Sequence, residues 1–154
     1  MDQRINTIIT DNNRLESNLI HNIDKKTLFI FNKCLAQFDI TFQQSLVLLY
    51  ISKNEKVYQK DIEKYMGLKN PSVTSLIKSL MARDFIYRVK DEKDGRYFHL
   101  HLTPKSTEIL DDIISVFYQI NEKTGKILSD DEQETFITLL EKLSDGLDDI
   151  VKSF

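Results

Sequence analysis

Residues 57–105 decide the fold, and they read VYQKDIEKYMGLKNPSVTSLIKSLMARDFIYRVKDEKDGRYFHLHLTPK. A short helical pattern ends here at Gly67, a residue that readily takes the left-handed conformation of a helix C-cap. Asn70 is a favourable N-cap, and Pro71 loses no hydrogen bond at the first helical position. A second helix is therefore expected to begin after Asn70 and to continue to about Arg83, and the two segments predict a helix-turn-helix unit.

The hydrophobic period then changes from helical to alternating. Residues 85–90 and 96–102 are predicted to be strands, joined by a turn that contains the strong hairpin signal Asp94-Gly95. His99 and His101 share one face of the second strand, and we interpret them as outward-facing residues, because two nitrogens make an incomplete metal site. A hairpin that directly follows a helix-turn-helix predicts a winged helix-turn-helix.

The flanking segments are helical in pattern. Apolar residues recur at helical spacing through the first forty residues, in two registers that leave open one bent helix or two. Thr41 and Gln44 predict a capping box, Thr103-Pro104 predicts the start of a long helix, and Ser129 with Glu132 predicts a second capping box. The chain is therefore expected to be mainly α with a small β-hairpin wing.

Composition argues against several classes of protein. The 154 residues include 4 Gly, 2 Pro and one cysteine, Cys34, so neither an intrachain disulfide nor a cysteine-based zinc site is available. No apolar run approaches the length of a membrane span, and the first residues lack the pattern of a signal peptide, so we expect a cytoplasmic protein that does not contact the membrane. No nucleophile elbow, Walker loop or His-Glu-x-x-His motif is present, so we expect neither an enzyme nor a cofactor.

The net charge of −3 conceals a strong asymmetry along the chain. Residues 53–105 carry 12 basic and 7 acidic side chains, a net charge of +5, whereas residues 106–154 carry 4 basic and 12 acidic side chains, a net charge of −8. A basic segment with a polar helix and a basic hairpin favours binding to double-stranded DNA, although a solvated helix face or a charge-protected hairpin edge would explain each feature alone. The predicted DNA-binding residues are Gln59, Asn70, Ser72, Thr74, Ser75, Lys78, Arg88, Lys90, Lys93, Asp94 and Arg96.

The sequence resembles the MarR family of bacterial transcriptional regulators over about residues 24–150. Asp39-Ile-Thr41 is similar to the family's usual approach to its second helix, and Leu102-Thr103 is similar to the start of its long fifth helix. Asp94-Gly95-Arg96 matches the D-x-R signature of the family's wing, in which the aspartate orients the wing and the arginine enters the minor groove.

Two positions depart from the family pattern. Glu63 stands where a helix-turn-helix usually has a small residue, so slightly different packing of the two helices is expected there. Ser106 replaces a common glycine, a change that we expect to be harmless.

The resemblance implies a homodimer held by the N-terminal helix and the last two helices. The residues agree, because these long helices carry wide apolar stripes that a small wing domain cannot cover. We therefore expect a single MarR-type domain over residues 1–154, with dimerisation helices at 1–40 and 104–154 around a winged helix-turn-helix core at 41–103.

The expected function is that of a sequence-specific DNA-binding transcriptional regulator. The resemblance implies a ligand-responsive protein, a repressor rather than an activator, that binds a pseudo-palindromic operator as a homodimer. Family members often bind small aromatic or amphipathic effectors. The aromatic residues able to line such a cleft are Phe31, Phe38, Phe42, Tyr50, Phe117 and Tyr118.

Two alternatives stay open at this point. A winged-helix module could serve protein contacts without sequence-specific DNA binding, although Lys78, Arg88, Lys93 and Arg96 argue against this. A redox-responsive regulator could use Cys34, but its position in an apolar helical segment favours a buried small hydrophobe.

Overall fold

The computed structural model of the chain describes residues 16–92 and 94–153. The described helices are α1 (Glu16–Leu35), α2 (Phe42–Lys53), α3 (Gln59–Met66), α4 (Asn70–Ala82), α5 (Pro104–Glu108), α6 (Leu110–Gly125) and α7 (Asp130–Ser153). The described strands are β1 (Ile86–Lys90) and β2 (Phe98–Leu102), and they form an antiparallel hairpin. This confirms the expected mainly helical fold with a small hairpin.

The chain separates into two compact units, Met1–Val116 and Phe117–Phe154, which we call the first and second units. The first unit contains the helix-turn-helix and the hairpin, and the second contains α7. No described helix combines the length and the apolar character that crossing a bilayer requires.

Helix α1 covers the part of the first forty residues that the structure describes. Glu16–Leu35 is one helix, which continues as a single 3-10 turn over Ala36–Phe38 and stops at Asp39 in the left-handed region, with φ of 57°. The apolar positions before residue 16 lie outside the described residues. The capping box at the start of α2 is confirmed, because Thr41 Oγ1 accepts from the Gln44 amide at 3.3 Å and Gln44 Oε1 accepts from the Thr41 amide at 2.9 Å.

The turn between α3 and α4 is as predicted, but the start of α4 is not. Gly67 ends α3 with φ of 62°, in the left-handed region that favours glycine. Helix α4 begins at Asn70 with Lys69 as its N-cap, so the prediction of Asn70 as the N-cap was wrong. The side-chain amide of Asn70 instead donates to the Glu63 carboxylate across the turn.

The hairpin is shorter at both strands than its sequence pattern suggests. Its register runs from Ile86 opposite Leu102 to Lys90 opposite Phe98. The second strand begins at Phe98 rather than residue 96, because the Tyr97 amide closes the turn on the Asp94 carbonyl at 3.0 Å. Val57, just before α3, pairs with β2 through the Leu100 amide at 2.8 Å and so links the hairpin to the helix-turn-helix.

The predicted long helix after Thr103 is interrupted. Helix α5 ends at Glu108, Ile109 takes φ of −99° and ψ of −1°, and α6 starts at Leu110. Ser106 is fully buried, and its hydroxyl donates to the Phe85 carbonyl. This hydroxyl joins α5 to the segment that leads into β1.

The core of the first unit is built from the two helices of the helix-turn-helix, α2 and the hairpin. Ile62, Val73 and Ile77 are fully buried between these elements. The remaining large side chains that are almost completely buried there are Leu35, Val47, Leu48, Val57, Leu80, Phe85, Ile86 and Ile113. This core holds the polar face of α4 and the basic hairpin in place.

The second unit differs in burial. Helix α7 starts with the predicted capping box, in which Glu132 Oε2 accepts from the Ser129 amide at 2.8 Å and Ser129 Oγ accepts from the Glu132 amide at 3.4 Å. None of its described side chains is buried. Its large apolar side chains are exposed at Phe136, Ile137, Leu139, Leu140, Leu143, Leu147, Ile150 and Val151.

Candidate nucleic-acid interface

A polar network joins α3 to α4, and we call it the helix-turn-helix network: Gln59, Glu63, Asn70 and Thr74. Glu63 Oε1 accepts from Gln59 Nε2 at 3.1 Å and from Asn70 Nδ2 at 2.8 Å. Gln59 Nε2 also donates to Thr74 Oγ1 at 2.8 Å, and Thr74 Oγ1 donates to Asn70 Oδ1 at 3.3 Å. Glu63 therefore joins two predicted DNA-binding residues, Gln59 and Asn70, although the sequence marked it only as a departure from the family pattern.

The remaining predicted residues of α4 face the solvent. Ser72, Ser75 and Lys78 are exposed on the helix, on positions that alternate with the buried Val73 and Ile77. Short hydroxyls and a lysine on one exposed helix face suit contacts to base edges and phosphates in a major groove.

The tip of the wing is organised by the Asp94–Arg96 pair. Arg96 Nη2 donates to Asp94 Oδ2 at 2.7 Å and Arg96 Nε donates to Asp94 Oδ1 at 3.0 Å. These bonds hold the pKa of Asp94 below its usual value and raise the pKa of Arg96. The Arg96 side chain is still 85% exposed, so it is oriented without being removed from solvent.

Basic side chains flank this tip. Arg88 and Lys90 are exposed on β1, and the Lys90 stem crosses the turn so closely that a Cβ on Gly95 would lie 2.6 Å from Lys90 Cε. Lys93 lies outside the described residues. The exposed cations of the wing can reach a DNA backbone or a minor groove.

His99 is not an outward-facing residue, and that prediction was wrong. It is 5% exposed, and its Nε2 lies 3.0 Å from Asp91 Oδ2. Tyr58 covers it with ring centroids 4.9 Å apart and donates its own hydroxyl to the same oxygen at 2.6 Å. His101 is half-buried and stacks on Tyr87 at 5.4 Å.

Tyr58, Asp91 and His99 form a group that we call the wing-base cluster. Tyr58 is the N-cap residue of α3, and the Asp91 Oδ1 atom accepts from the Asp94 amide at 3.0 Å, so the cluster connects the helix-turn-helix to the wing turn. The hydrogen bond to Asp91 raises the pKa of the Tyr58 phenol. The sequence signal that could have predicted this cluster is the apolar-then-polar pair Val57-Tyr58 just before α3. Val57 pairs with β2 as a strand residue would, and this brings Tyr58 next to His99.

A groove of about 750 Å³ lies between the wing and the helix-turn-helix. It is lined by both sets of predicted DNA-binding residues, among them Gln59, Asn70, Arg88, Asp94 and Arg96. The structure therefore places α3 and the start of α4 opposite the wing across one groove.

The predicted effector-binding aromatics are distributed over several places. In the first unit, Phe31 packs on Phe42 at 4.6 Å, and Tyr50 packs on Tyr65 at 4.5 Å. Phe38 is half-buried, and Phe117 and Tyr118 belong to the second unit. A ligand cleft at these residues stays a prediction.

Cys34 is half-buried on α1. The interpretation of a fully buried hydrophobe is thus only partly met. A redox role for its thiol stays a prediction.

Comparison with known proteins identifies the family. The sequence model of the SarA/Rot transcriptional regulators matches residues 29–113, more than half of the chain. The chain belongs to the SarA/Rot family of transcriptional regulators. The HTH-type transcriptional regulator BilQ of Clostridioides difficile is 27% identical over 129 residues, which are 84% of this chain and 87% of BilQ.

Solved structures of transcriptional regulators share this fold. The Staphylococcus aureus MepR–DNA complex matches with a TM-score of 0.80 and 27% identity, over 85% of this chain and 97% of MepR. A mutant of Escherichia coli MarR in complex with operator DNA has the same fold, with a TM-score of 0.76 and 23% identity over 82% of this chain and 91% of MarR. The predicted MarR-type winged helix-turn-helix and the predicted class, a DNA-binding transcriptional regulator, are confirmed.

Proposed function

We propose that this SarA/Rot family member represses transcription by binding a pseudo-palindromic operator as a homodimer. The observation that supports this best is the groove between α3 and the wing, which Gln59 and Asn70 line on the helix-turn-helix side and the oriented, exposed Arg96 lines on the wing side. MepR, a relative of similar fold, forms a complex with DNA.

The predicted DNA-binding residues have two different parts in this function. Ser72, Ser75 and the helix-turn-helix network would face base edges and discriminate between sequences. Lys78, Arg88, Lys90 and Arg96 would neutralise phosphates and supply most of the affinity, as would Lys93 in the same turn.

The second unit supports the homodimer. Leu139, Leu147 and Ile150 are 58%, 50% and 52% exposed along one stripe of α7, an arrangement typical of a surface that another protein covers. A two-fold axis through such an interface would place two copies of α4 on successive major grooves, about 34 Å apart. In this proposal the dimerisation helices lie within residues 1–40 and 104–154 and the DNA-binding core within 41–103, all acting in the cytoplasm.

Regulation by a small aromatic or amphipathic effector belongs to the same proposal. An effector would act by changing the distance between the two recognition helices, so that they no longer match successive grooves. The same half-site spacing with and without a bound effector would contradict it.

The experiment is selection of bound duplexes from a random pool, followed by sequencing, at two salt concentrations. Recovery of a pseudo-palindrome with half-sites about one helical turn apart would support the dimeric regulator. Weak, salt-sensitive binding without an enriched motif would instead favour a winged-helix module that serves protein contacts.

A further inference from the structure

The hydrogen bonds of Gln59 determine which atom it can offer to DNA. A glutamine amide has two N–H donors and one acceptor oxygen. The Gln59 nitrogen donates to Glu63 Oε1 at 3.1 Å and to Thr74 Oγ1 at 2.8 Å, so both donors are used inside the protein. No donor among the described residues reaches Gln59 Oε1. The oxygen is therefore the atom left for an external partner.

Glu63 and Thr74 together fix this orientation. A carboxylate only accepts hydrogen bonds, so Glu63 can face only the N–H side of the Gln59 amide. The Thr74 hydroxyl donates to Asn70 Oδ1 at 3.3 Å, which leaves its lone pairs to accept from Gln59. Asn70 in turn donates to Glu63 at 2.8 Å. Reversal of the Gln59 amide would place its oxygen against Glu63 and lose both bonds.

The outward oxygen distinguishes bases from phosphates. Phosphate oxygens only accept hydrogen bonds, so an amide oxygen gains nothing from the DNA backbone. In the major groove, the amino groups of adenine and cytosine are the donors that such an oxygen can bind. Gln59 also lines the groove between the wing and the helix-turn-helix, where DNA is expected.

We propose that Glu63 is a specificity-determining residue that acts by positioning Gln59, so that Gln59 presents only its oxygen and selects an amino-bearing base, adenine or cytosine, in each half-site. The inference rests on the proposed sequence-specific binding. The negative charge of Glu63 also lowers the affinity for any DNA backbone, whatever its sequence.

The test is the same duplex selection, performed in parallel with the wild-type protein and with Glu63→Ala, Glu63→Gln and Gln59→Ala. Wild type is expected to prefer adenine or cytosine over guanine or thymine by roughly tenfold at one position on one strand of each half-site. Glu63→Ala and Gln59→Ala are expected to lose that preference at the same base pair. Glu63→Gln is expected to keep it, because a glutamine oxygen can accept the same two bonds.

Two controls separate charge and folding from positioning. Glu55→Ala removes the same charge from an exposed residue of the first unit, and it is expected to raise affinity without changing base preference. Circular dichroism of each variant checks folding. If Glu63→Ala does not fold, Gln59→Ala still tests whether Gln59 contacts the base. Glu63→Gln still tests whether the hydrogen bonds accepted at position 63 are sufficient for the preference.

The outcomes distinguish this inference from the proposed function. A wild-type protein that enriches no motif would overturn the proposed function, and this inference with it. A wild-type motif left unchanged by Glu63→Ala or by Gln59→Ala would overturn the inference alone. Loss of the preference in Glu63→Gln would also overturn it, since the charge rather than the accepted hydrogen bonds would then be responsible.

Discussion

The two units differ in how far their apolar side chains are buried. In the first unit, Val47, Leu48 and Ile77 are completely buried, and the helix-turn-helix and hairpin share one core. In the second unit, Leu139 and Leu147 on α7 are 58% and 50% exposed, and no described side chain of α7 is buried. The first unit thus has a core of its own, whereas the stripe of α7 is suited to contact with another surface.

The two units also differ in their charged residues. The basic residues that we assign to DNA lie in the first unit, within the segment 53–105 of net charge +5. Residues 117–154 carry 4 basic and 9 acidic side chains. In the proposed function the first unit binds DNA and α7 of the second unit contributes to the dimer, so substitutions in each unit should separate the two properties.

The largest effect is expected from Leu143→Asp. This residue lies in the apolar stripe of α7, and a charge there should disrupt the proposed dimer. A monomer has only one DNA-binding core, so its operator affinity should be lower by about 100-fold or more. Light scattering would measure the mass of the variant in solution, and fluorescence anisotropy would measure its affinity for the operator.

Thr138→Asp provides the matched control for this prediction. Thr138 is exposed on the same helix and, at 100° per residue, on the side opposite Leu143. The control is expected to stay dimeric. If Leu143→Asp also stays dimeric, α7 does not form the interface and the contrast between the units has another cause.

Arg96→Ala should give a smaller effect that is confined to DNA. Removal of one phosphate or minor-groove contact should weaken binding to every sequence by roughly five- to tenfold and flatten the salt dependence by about one unit of slope. The control is Lys126→Ala, which removes an exposed cation from the second unit. Equal effects of the two substitutions would contradict the assignment of DNA binding to the first unit alone.

Local chemistry explains which parts of the fold could be predicted. The capping box of Thr41 and the left-handed Gly67 each depend on a few consecutive residues, and both are present. The Asp94–Arg96 pair is similarly local, since the two residues are two positions apart.

Contacts between distant segments explain the rest. His99 is buried because Tyr58, more than forty positions earlier, lies over it and binds the same aspartate. Asn70 does not cap α4, because Glu63 on the preceding helix accepts its amide. Alternation and capping preferences describe single elements, so they contain no information on such partners.

The two capping boxes allow a direct comparison of the units. Gln44 in the first box also binds Arg83 Nη2 at 2.7 Å and Ser79 Oγ at 3.1 Å, whereas the box of Ser129 is exposed. Thr41→Ala is therefore expected to cost about 1–2 kcal/mol of unfolding free energy and Ser129→Ala about 0.5 kcal/mol. Denaturant unfolding of both variants would measure this, and equal costs would show that the tertiary contacts of Gln44 add nothing.

The smallest effect is expected at the wing-base cluster, as a dependence on pH. The hydrogen bond to Asp91 raises the pKa of Tyr58 in the folded state, so it favours the protonated phenol. Its contribution to stability is fully present below the unfolded pKa of about 10 and is lost as the pH rises through the folded pKa. The melting temperature of wild type should therefore exceed that of Tyr58→Phe at pH 8, and the difference should disappear toward pH 11.

Tyr118→Phe, an exposed substitution in the second unit, serves as the control. A gap between wild type and Tyr58→Phe that stays constant over this range would mean that Tyr58 supports the wing by ring packing on His99 rather than through its hydroxyl.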